Sequence, residues 1–444
     1  MGRTVTPIYS SPSSQTSHAE CCIPVTNDPA AAVPVGTDRN PTAAAVAITL
    51  VGITFAARWP SLGESFWVDE LHTAWCVVGP WGEVAGRAAA GNQSPVYFAV
   101  TKAWAAVFGT SEVAMRMTSV LAVATAAGGV YVAVVRRTGS VAGGAAAGAW
   151  VALESNAVFF GTELRPYALV IAAAAGVLAA GRHVGWSAAA AAVGAAASPT
   201  ALISLGVLWA ASCRPSGRRW GWAALPVAAA AVGVVGLMTA WDGRGSWAAF
   251  ATFRWQSLAT LWPWVTLVGG PVVVAAVRRR SVAPEFWWWI GSVVVVLAVH
   301  AGLSTVAGVH LWHRRYLVAM LPVLAGAFGI AVASLPRRWA WVAMAAVIVG
   351  LGGTWQPVRR GENWRGVAAW LRANVDAGET IRLDPGLIEM SRPDAADRQA
   401  YLRYPLTGVY QIDSPIEVRR YDGRAWDGVW VVRRRGVVVI DGRE

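Results

Sequence analysis

Charge is scarce in this chain: only 14% of its 444 residues are charged while 55% are hydrophobic, and the mean hydropathy is +0.45. A soluble domain carries about a quarter charged residues, so a single water-soluble core is excluded and much of the chain is expected in lipid. Lysine is nearly missing. Lys102 stands alone among 37 basic residues, so an arginine at any one site says little about why arginine was used there. Cysteine is equally sparse, and Cys21, Cys22, Cys76 and Cys213 have neither metal-ligand spacing nor a plausible disulfide framework. Residues 1–40, rich in Ser, Thr and Pro, contain no apolar h-region, which speaks against a cleavable signal peptide and reads as a disordered cytoplasmic tail. No repeat has solenoid length. The net charge of +12 has no single basic face to sit on, because the arginines cluster at the ends of apolar blocks and near the C-terminus, so nucleic acid is not expected as a partner.

What the chain does have is a series of Ala, Val, Gly, Leu and Trp blocks separated by short Arg- or Pro-bearing breaks, the pattern of serial spanning helices. The blocks place spans near residues 42–58, 113–135, 141–160, 166–181, 186–198, 199–213, 220–241, 257–277, 285–307, 316–335 and 339–355. Several are shorter than the ~20 residues of a full crossing, which leaves room for tilt or re-entry. The expected fold is mainly α: a polytopic helical membrane domain over 41–355 with about eleven spans, followed by a small extracytoplasmic α/β domain over 356–444. That last segment holds 15 of the 37 basic and 13 of the 25 acidic residues. Its pattern predicts a helix at NWRGVAAWLRANV and strands around 380–383, 409–412, 428–432 and 436–440.

Threading the blocks alternately places Arg136–Arg137, Arg182, Arg214 with Arg218–Arg219, Arg278–Arg280 and Arg337–Arg338 on one face, which the positive-inside rule makes cytoplasmic. An odd number of spans follows. The opposite face receives the 59–112 loop, the 161–166 turn, the 242–256 loop, the 308–315 loop and the C-terminal domain. Within the first loop, residues 95–108 are apolar but too short to span, and an interfacial helix fits them. Arg87, Arg116, Arg165, Arg244, Arg254, Arg314 and Arg315 fall on the outer side against the rule, and anion binding is the natural reason.

Chemistry concentrates on that outer face. WVDELHTAW carries the adjacent carboxylates Asp69 and Glu70, either of which could deprotonate an acceptor hydroxyl, although such a pair also serves as an ordinary helix cap. GTELRPYAL brings Glu163 and Arg165, the arginine suited to a bidentate phosphate contact or simply to pairing with its neighbour. HLWHRRYL offers His310, His313, Arg314, Arg315 and Tyr316 as an anion site, with an aromatic and basic membrane anchor as the alternative. The three-residue spacing of the two histidines could also suit a divalent metal, but no third ligand is local, so no cofactor is required and the metal is the unsupported alternative. In GTSEVAMRMTSVL, Ser111 is a candidate N-cap, and Arg116 pairs either with Glu112 one turn away or, pointing inward, with the acidic pair.

Taken in order, these segments resemble the GT-C superfamily of membrane glycosyltransferases, in particular its protein O-mannosyltransferase and aminoarabinose-transferase branch. WVDELHTAW resembles the family's Asp-Glu motif after the first span, and QSPVYFAV with FGTSEVAMRMTS resembles its Pro-Leu-Tyr helix and the segment after it. GTELRPYAL and HRRYLVAMLPVLA resemble its later outer turns. The resemblance covers roughly residues 42–375. It implies an inverting transfer of a sugar from a polyprenyl-phosphate donor to an extracytoplasmic acceptor (protein, lipid or envelope glycan) by an integral plasma-membrane enzyme. It further implies Asp69 as general base with Glu70 as partner, Arg116 orienting the pair, and Arg165, Arg314 and Arg315 at the phosphate, with Glu163, His313 and Tyr316 nearby. Ser94 departs from the family pattern before the proline, and His72 follows the acidic pair; both bear on sugar and acceptor more than on reaction type. A flippase or transporter, which would carry polar residues at mid-membrane, and a noncatalytic envelope-binding protein are the competing readings.

Overall fold

The computed structural model describes residues 41–91, 93–181, 183–212, 252–278, 280–306, 311–386, 396–423, 428–433 and 436–442. The expected tail at 1–40, the expected span at 220–241, Cys21, Cys22, Cys213 and His310 lie outside them. The helices are α1 Pro41–Ala56, α2 Trp59–Leu62, α3 Val68–Val78, α4 Val84–Ala90, α5 Pro95–Phe108, α6 Glu112–Thr138, α7 Val141–Leu153, α8 Ser155–Gly161 and α9 Tyr167–Ala180. They continue with α10 Val184–Ala197, α11 Leu202–Ser212, α12 Trp262–Val277, α13 Pro284–Thr305, α14 Met320–Ala333, α15 Arg337–Gly353, α16 Trp364–Asn374 and α17 Ala396–Tyr404.

Helix α6 is the axis of the bundle and packs against α1, α7, α9 and α14. Its sequence defines both ends. Ser111 Oγ accepts from Ala114 N at 3.3 Å at the start, while Arg136 and Arg137 occupy the last turn and Gly139, at φ 68°, takes the left-handed conformation that stops the helix. Small residues let its neighbours approach closely. A Cβ placed on Gly143 of α7 would lie 2.6 Å from the Gly329 carbonyl of α14, and one on Gly329 would meet the Gly143 carbonyl at the same distance. The two helices therefore cross backbone to backbone.

One expected span differs in form. The 141–160 block is not one helix, because Glu154 is extended at ψ 137° and its carboxylate accepts from Ala157 N at 2.8 Å and Asn156 Nδ2 at 2.9 Å, capping α8 as a separate piece. Arg58, fully buried, fastens the break by donating to Ala152 O at 2.9 Å and Ala157 O at 2.7 Å. The expected spans 186–198 and 199–213 do part at Ser198, as α10 and α11, with Pro199–Ala201 forming a 3₁₀ turn before α11. Among the described residues only α6 and α13 are long and apolar enough to cross a bilayer unaided; the other apolar helices have 10–17 residues, so a count of eleven spans is not established. Trp287, Trp288, Val294 and Val295 of α13 face outward and are exposed.

Beyond α15 the chain forms a four-stranded sheet of order β2-β1-β3-β4, with β1 Ile381–Asp384, β2 Ile416–Val418, β3 Val429–Arg433 and β4 Val437–Asp441. Strand β1 is parallel to β2 (Ile381 opposite Ile416) and to β3 (Ile381 opposite Val429), and β3 is antiparallel to β4. Helix α16 buries Trp364, Val367, Ala368 and Leu371, one stripe at helical spacing. The strand expected at 409–412 is instead a turn. Residues Pro405–Val409 form a π-helical turn, Gln411 sits at φ 48°, and Ile412 N donates to Leu406 O at 2.8 Å, so this backbone is satisfied locally and has no ladder to join. Pairing with β1 falls to Ile416–Val418, just after Pro415.

Candidate active site

Helix α3 begins with its acidic residues, which the partial positive charge of a helix N-terminus favours. Its other end is capped by cations: Arg87 Nη1 donates to Trp75 O at 2.6 Å, and Lys102 Nζ donates to Val77 O at 2.7 Å and also to Gly79 O. The only lysine of the chain thus holds a helix terminus.

At the N-terminal end the two carboxylates divide. Glu70 is fully buried: Oε1 accepts from Arg116 Nε and Leu164 N, both at 2.9 Å, and Oε2 accepts from Arg116 Nη2 at 2.5 Å and Trp67 N at 3.3 Å. Those bonds use the roughly four acceptor positions of a carboxylate. Burial alone would raise the Glu70 pKa, but Arg360 and Arg116 together hold it below its ordinary value. Arg116 is equally spent, with Nη1 donating to Leu62 O at 2.8 Å and Glu64 O at 2.5 Å and Nη2 to Ser65 O at 3.1 Å. The pair clasps the 62–70 segment to α6, and the alternative pairing of Arg116 with Glu112 is not formed. Glu112 binds Arg365 at 2.6 Å and accepts from the Tyr410 hydroxyl at 3.2 Å instead.

Asp69 faces the other way, and 30% of its side chain is exposed. The turn at Leu164 is stitched to α3 on both sides, since Leu164 N donates to Glu70 and Leu164 O accepts from Thr73 Oγ1 at 2.9 Å. Its neighbours Glu163 and Arg165 are thereby delivered to Asp69. Arg165 does not pair with Glu163: its Nη1 donates to Asp69 O at 3.2 Å and its Nη2 lies 3.9 Å from Asp69 Oδ2. Burial works against the Arg165 charge, but Asp69, Tyr167 and Glu163 raise its pKa above the ordinary value. Its Nε has no hydrogen-bond partner among the described residues. Glu163 is buried, its Oε2 is likewise without a partner, and burial followed by the Asp69 charge pushes its pKa up to about 8. One carboxylate that is open to solvent therefore stands beside a second that holds a proton.

The 311–319 loop supplies the remaining predicted residues. His313 Nδ1 accepts from Arg315 N and Arg315 Nε, both at 3.3 Å. Burial and the two adjacent arginines lower the His313 pKa to about 4, so it orients Arg315 as a neutral acceptor. Tyr316 packs its ring edge-on to His313 at 6.2 Å. The charge of Arg315 is felt at Tyr167, Asp69 and Arg165, and Arg314 lies 4.7 Å from the centre of the Phe159 ring. Among the described residues, no three His, Cys, Asp or Glu side chains group as a metal would need.

No protein-family model matches this chain, and neither does any curated protein. Among solved structures, the chain is similar to the crystal structure of ArnT from Cupriavidus metallidurans in the apo state, at 16% identity and a TM-score of 0.42. The match covers 76% of this chain and spans 66% of the length of that one.

Arg360 is not singled out by the sequence, and His72 is noted there only as following the acidic pair. Arg360, beyond the last apolar helix, brings its Nε to 3.9 Å from Glu70 Oε2. His72, one turn after Asp69, donates from Nε2 to Arg87 O at 3.0 Å, packs edge-on to Phe98 and Tyr401, and is lowered by burial to about 4. Adjacent arginines in a charged tail look ordinary in sequence, and only burial separates Arg360 from Arg359.

Proposed function

We propose that the protein is an integral membrane glycosyltransferase of GT-C type that moves a sugar from a polyprenyl-phosphate donor to a hydroxyl acceptor outside the cytoplasm. The observation that carries this reading is the contrast at Asp69–Glu70: one carboxylate is saturated and buried, and the other is open to solvent beside the Arg165 guanidinium. In the reaction, Asp69 takes the proton of the acceptor O–H as that oxygen attacks the anomeric carbon. The C–O bond to the lipid phosphate breaks with its electron pair leaving on the phosphate, and the configuration inverts. Arg165 and Arg315, with Arg314 at the rim, stabilise the charge that develops on the leaving phosphate. Glu70 and Arg116 hold the loop that aims Asp69. Glu163, neutral at pH 7, adds no negative charge beside the phosphate.

The scarcity of charge, the outward apolar faces of helices such as α13 and the gathering of arginine and carboxylate at one end of α3 and α6 support a membrane setting with the site near one interface. A transporter would be expected to place its charged residues along the helices rather than at one end. The direct test is a transfer assay on purified protein with a panel of polyprenyl-phosphate sugars, paired with mass spectrometry of envelope lipids, glycans and secreted proteins from a deletion strain. The reading expects one sugar missing from the strain and transferred in vitro; an unchanged envelope together with no turnover of any donor overturns it.

A further inference from the structure

The segment leading into the C-terminal domain, residues 355–365, runs beside residues 57–68 and is tied to it along its length. Trp355 Nε1 donates to Ala57 O at 2.9 Å, Val358 N to Ser61 Oγ at 2.9 Å, Arg365 N to Ser65 Oγ at 3.1 Å, and Val68 N to Glu362 Oε2 at 3.0 Å, while Arg359 pairs with Glu64 at 2.6 Å. Among these ties Arg360 turns inward, with 3% of its side chain exposed. Nη2 donates to Thr162 Oγ1 at 3.4 Å, but Nε and Nη1 have no hydrogen-bond partner among the described residues. The nearest carboxylate, Glu70, has no acceptor position left for it.

A buried guanidinium with open N–H groups is costly unless an anion meets it. The Phe159 ring shows where that meeting point lies. Arg360 Cζ is 5.6 Å from its centre and Arg314 Cζ is 4.7 Å from the same point, so two cations from separate segments converge on one ring. Arg165, also buried and with an open Nε, acts on Glu163 alongside Arg360. Two guanidinium groups brought to one ring, and a third acting on the same carboxylate, favour an anion shared between them. A cavity of about 420 Å³ is lined by Val158, the residue before Phe159, and by Val358, two residues before Arg360, together with Trp150, Leu267 and Leu351 and with polar groups such as Glu154 and Asn156.

We propose that Arg360, with Arg165 and Arg314, forms the seat for the phosphate of a lipid-linked substrate, so that the site is complete only when the 355–365 segment is docked. This rests on the glycosyl-transfer reading above. The planar fork of an arginine suits the non-bridging oxygens of a phosphate better than a lysine would.

The test is equilibrium binding to the full-length detergent-purified protein, by native mass spectrometry and calorimetry, of a polyprenyl phosphate, the parent polyprenol and inorganic phosphate. Wild type and Arg360→Gln, Arg360→Lys and Arg403→Gln are compared, each checked for a monodisperse elution profile. Losing two charge-assisted bonds raises the Kd for polyprenyl phosphate about 10- to 100-fold in Arg360→Gln. Arg360→Lys recovers part of that loss, polyprenol affinity is unchanged, and Arg403→Gln, at an exposed arginine of α17 outside the docked segment, stays within about twofold of wild type. Equal polyprenyl phosphate affinity in wild type and Arg360→Gln overturns the seat and leaves the transfer reading standing. Wild type that retains polyprenol as well as it retains polyprenyl phosphate overturns both. Inorganic phosphate bound as tightly as the lipid, with the same dependence on Arg360, overturns the lipid source in favour of free phosphate.

Discussion

Asp69 and Glu70 are adjacent in the chain and opposite in environment: the Glu70 carboxylate accepts four hydrogen bonds with none of its side chain exposed, whereas the Asp69 side chain is 30% exposed beside Arg165. The helical geometry of α3 makes this inevitable. Consecutive residues of a helix point about 100° apart, so when Glu70 is buried against α6 its neighbour faces the opening.

The first prediction concerns stability. Removing one partner of a fully buried ion pair costs about 3–5 kcal/mol, so Glu70→Ala or Arg116→Ala should lower the thermal unfolding midpoint sharply. The half-exposed Asp69→Asn should shift it by less than about 1 kcal/mol. Differential scanning fluorimetry in detergent checks the contrast, and similar shifts for all three contradict it.

The second concerns pH. Glu163 has a folded pKa of about 8 against an ordinary value of 4.5, so the folded state holds a proton that the unfolded state has released. Its favourable contribution is fully present below about pH 4.5 and is lost as pH rises through 8, because the unfolded state binds fewer protons across that window. Glu163→Gln, neutral at every pH, should remove that slope from the unfolding midpoint measured between pH 5 and 9. A variant slope equal to that of wild type would show that Glu163 is not held protonated.

A third prediction tests the crossing of α7 and α14. Gly143→Ala places a methyl 2.6 Å from the Gly329 carbonyl and should destabilise by about 1–3 kcal/mol. Gly128→Ala on α6, where a Cβ meets nothing within 4 Å, should be neutral or stabilising by up to about 1 kcal/mol, as helix propensity favours alanine. Equal effects at the two sites would contradict the close approach.

Much of this was legible in the sequence, and the gaps have physical causes. Apolar blocks marked the helices and Ser111 marked the start of α6, because these signals are local. Of the two partners open to Arg116, the acidic pair is the one the structure selects, since the residue is wholly buried against α3 rather than lying on the face shared with Glu112. The break at Glu154 is hidden inside a continuous apolar run, where one capping side chain outweighs the helix propensity of its neighbours, whereas the break at Ser198 falls where the spans 186–198 and 199–213 were expected to part. Val409–Ile412 alternates like a strand, yet the Tyr410 hydroxyl is used to reach Phe66 N and Glu112, and packing overrode the pattern. Arg360 depends on a fold that brings residues nearly 300 apart in sequence together, which no local pattern reports.

The fourth prediction addresses orientation. In a background free of native cysteine, Trp81→Cys and Val438→Cys, both at exposed positions, should react with a membrane-impermeant maleimide on intact cells, and Arg136→Cys only after permeabilisation. Labelling of Arg136→Cys from outside would reverse the threading.

The central claim, that Asp69 is the base of a glycosyl transfer, is tested most directly by single-turnover transfer with Asp69→Asn on an identified polyprenyl-phosphate sugar and acceptor. The account predicts a rate about 10²–10⁴-fold lower with donor affinity and unfolding midpoint close to wild type; transfer at the wild-type rate by a correctly folded Asp69→Asn protein would contradict it.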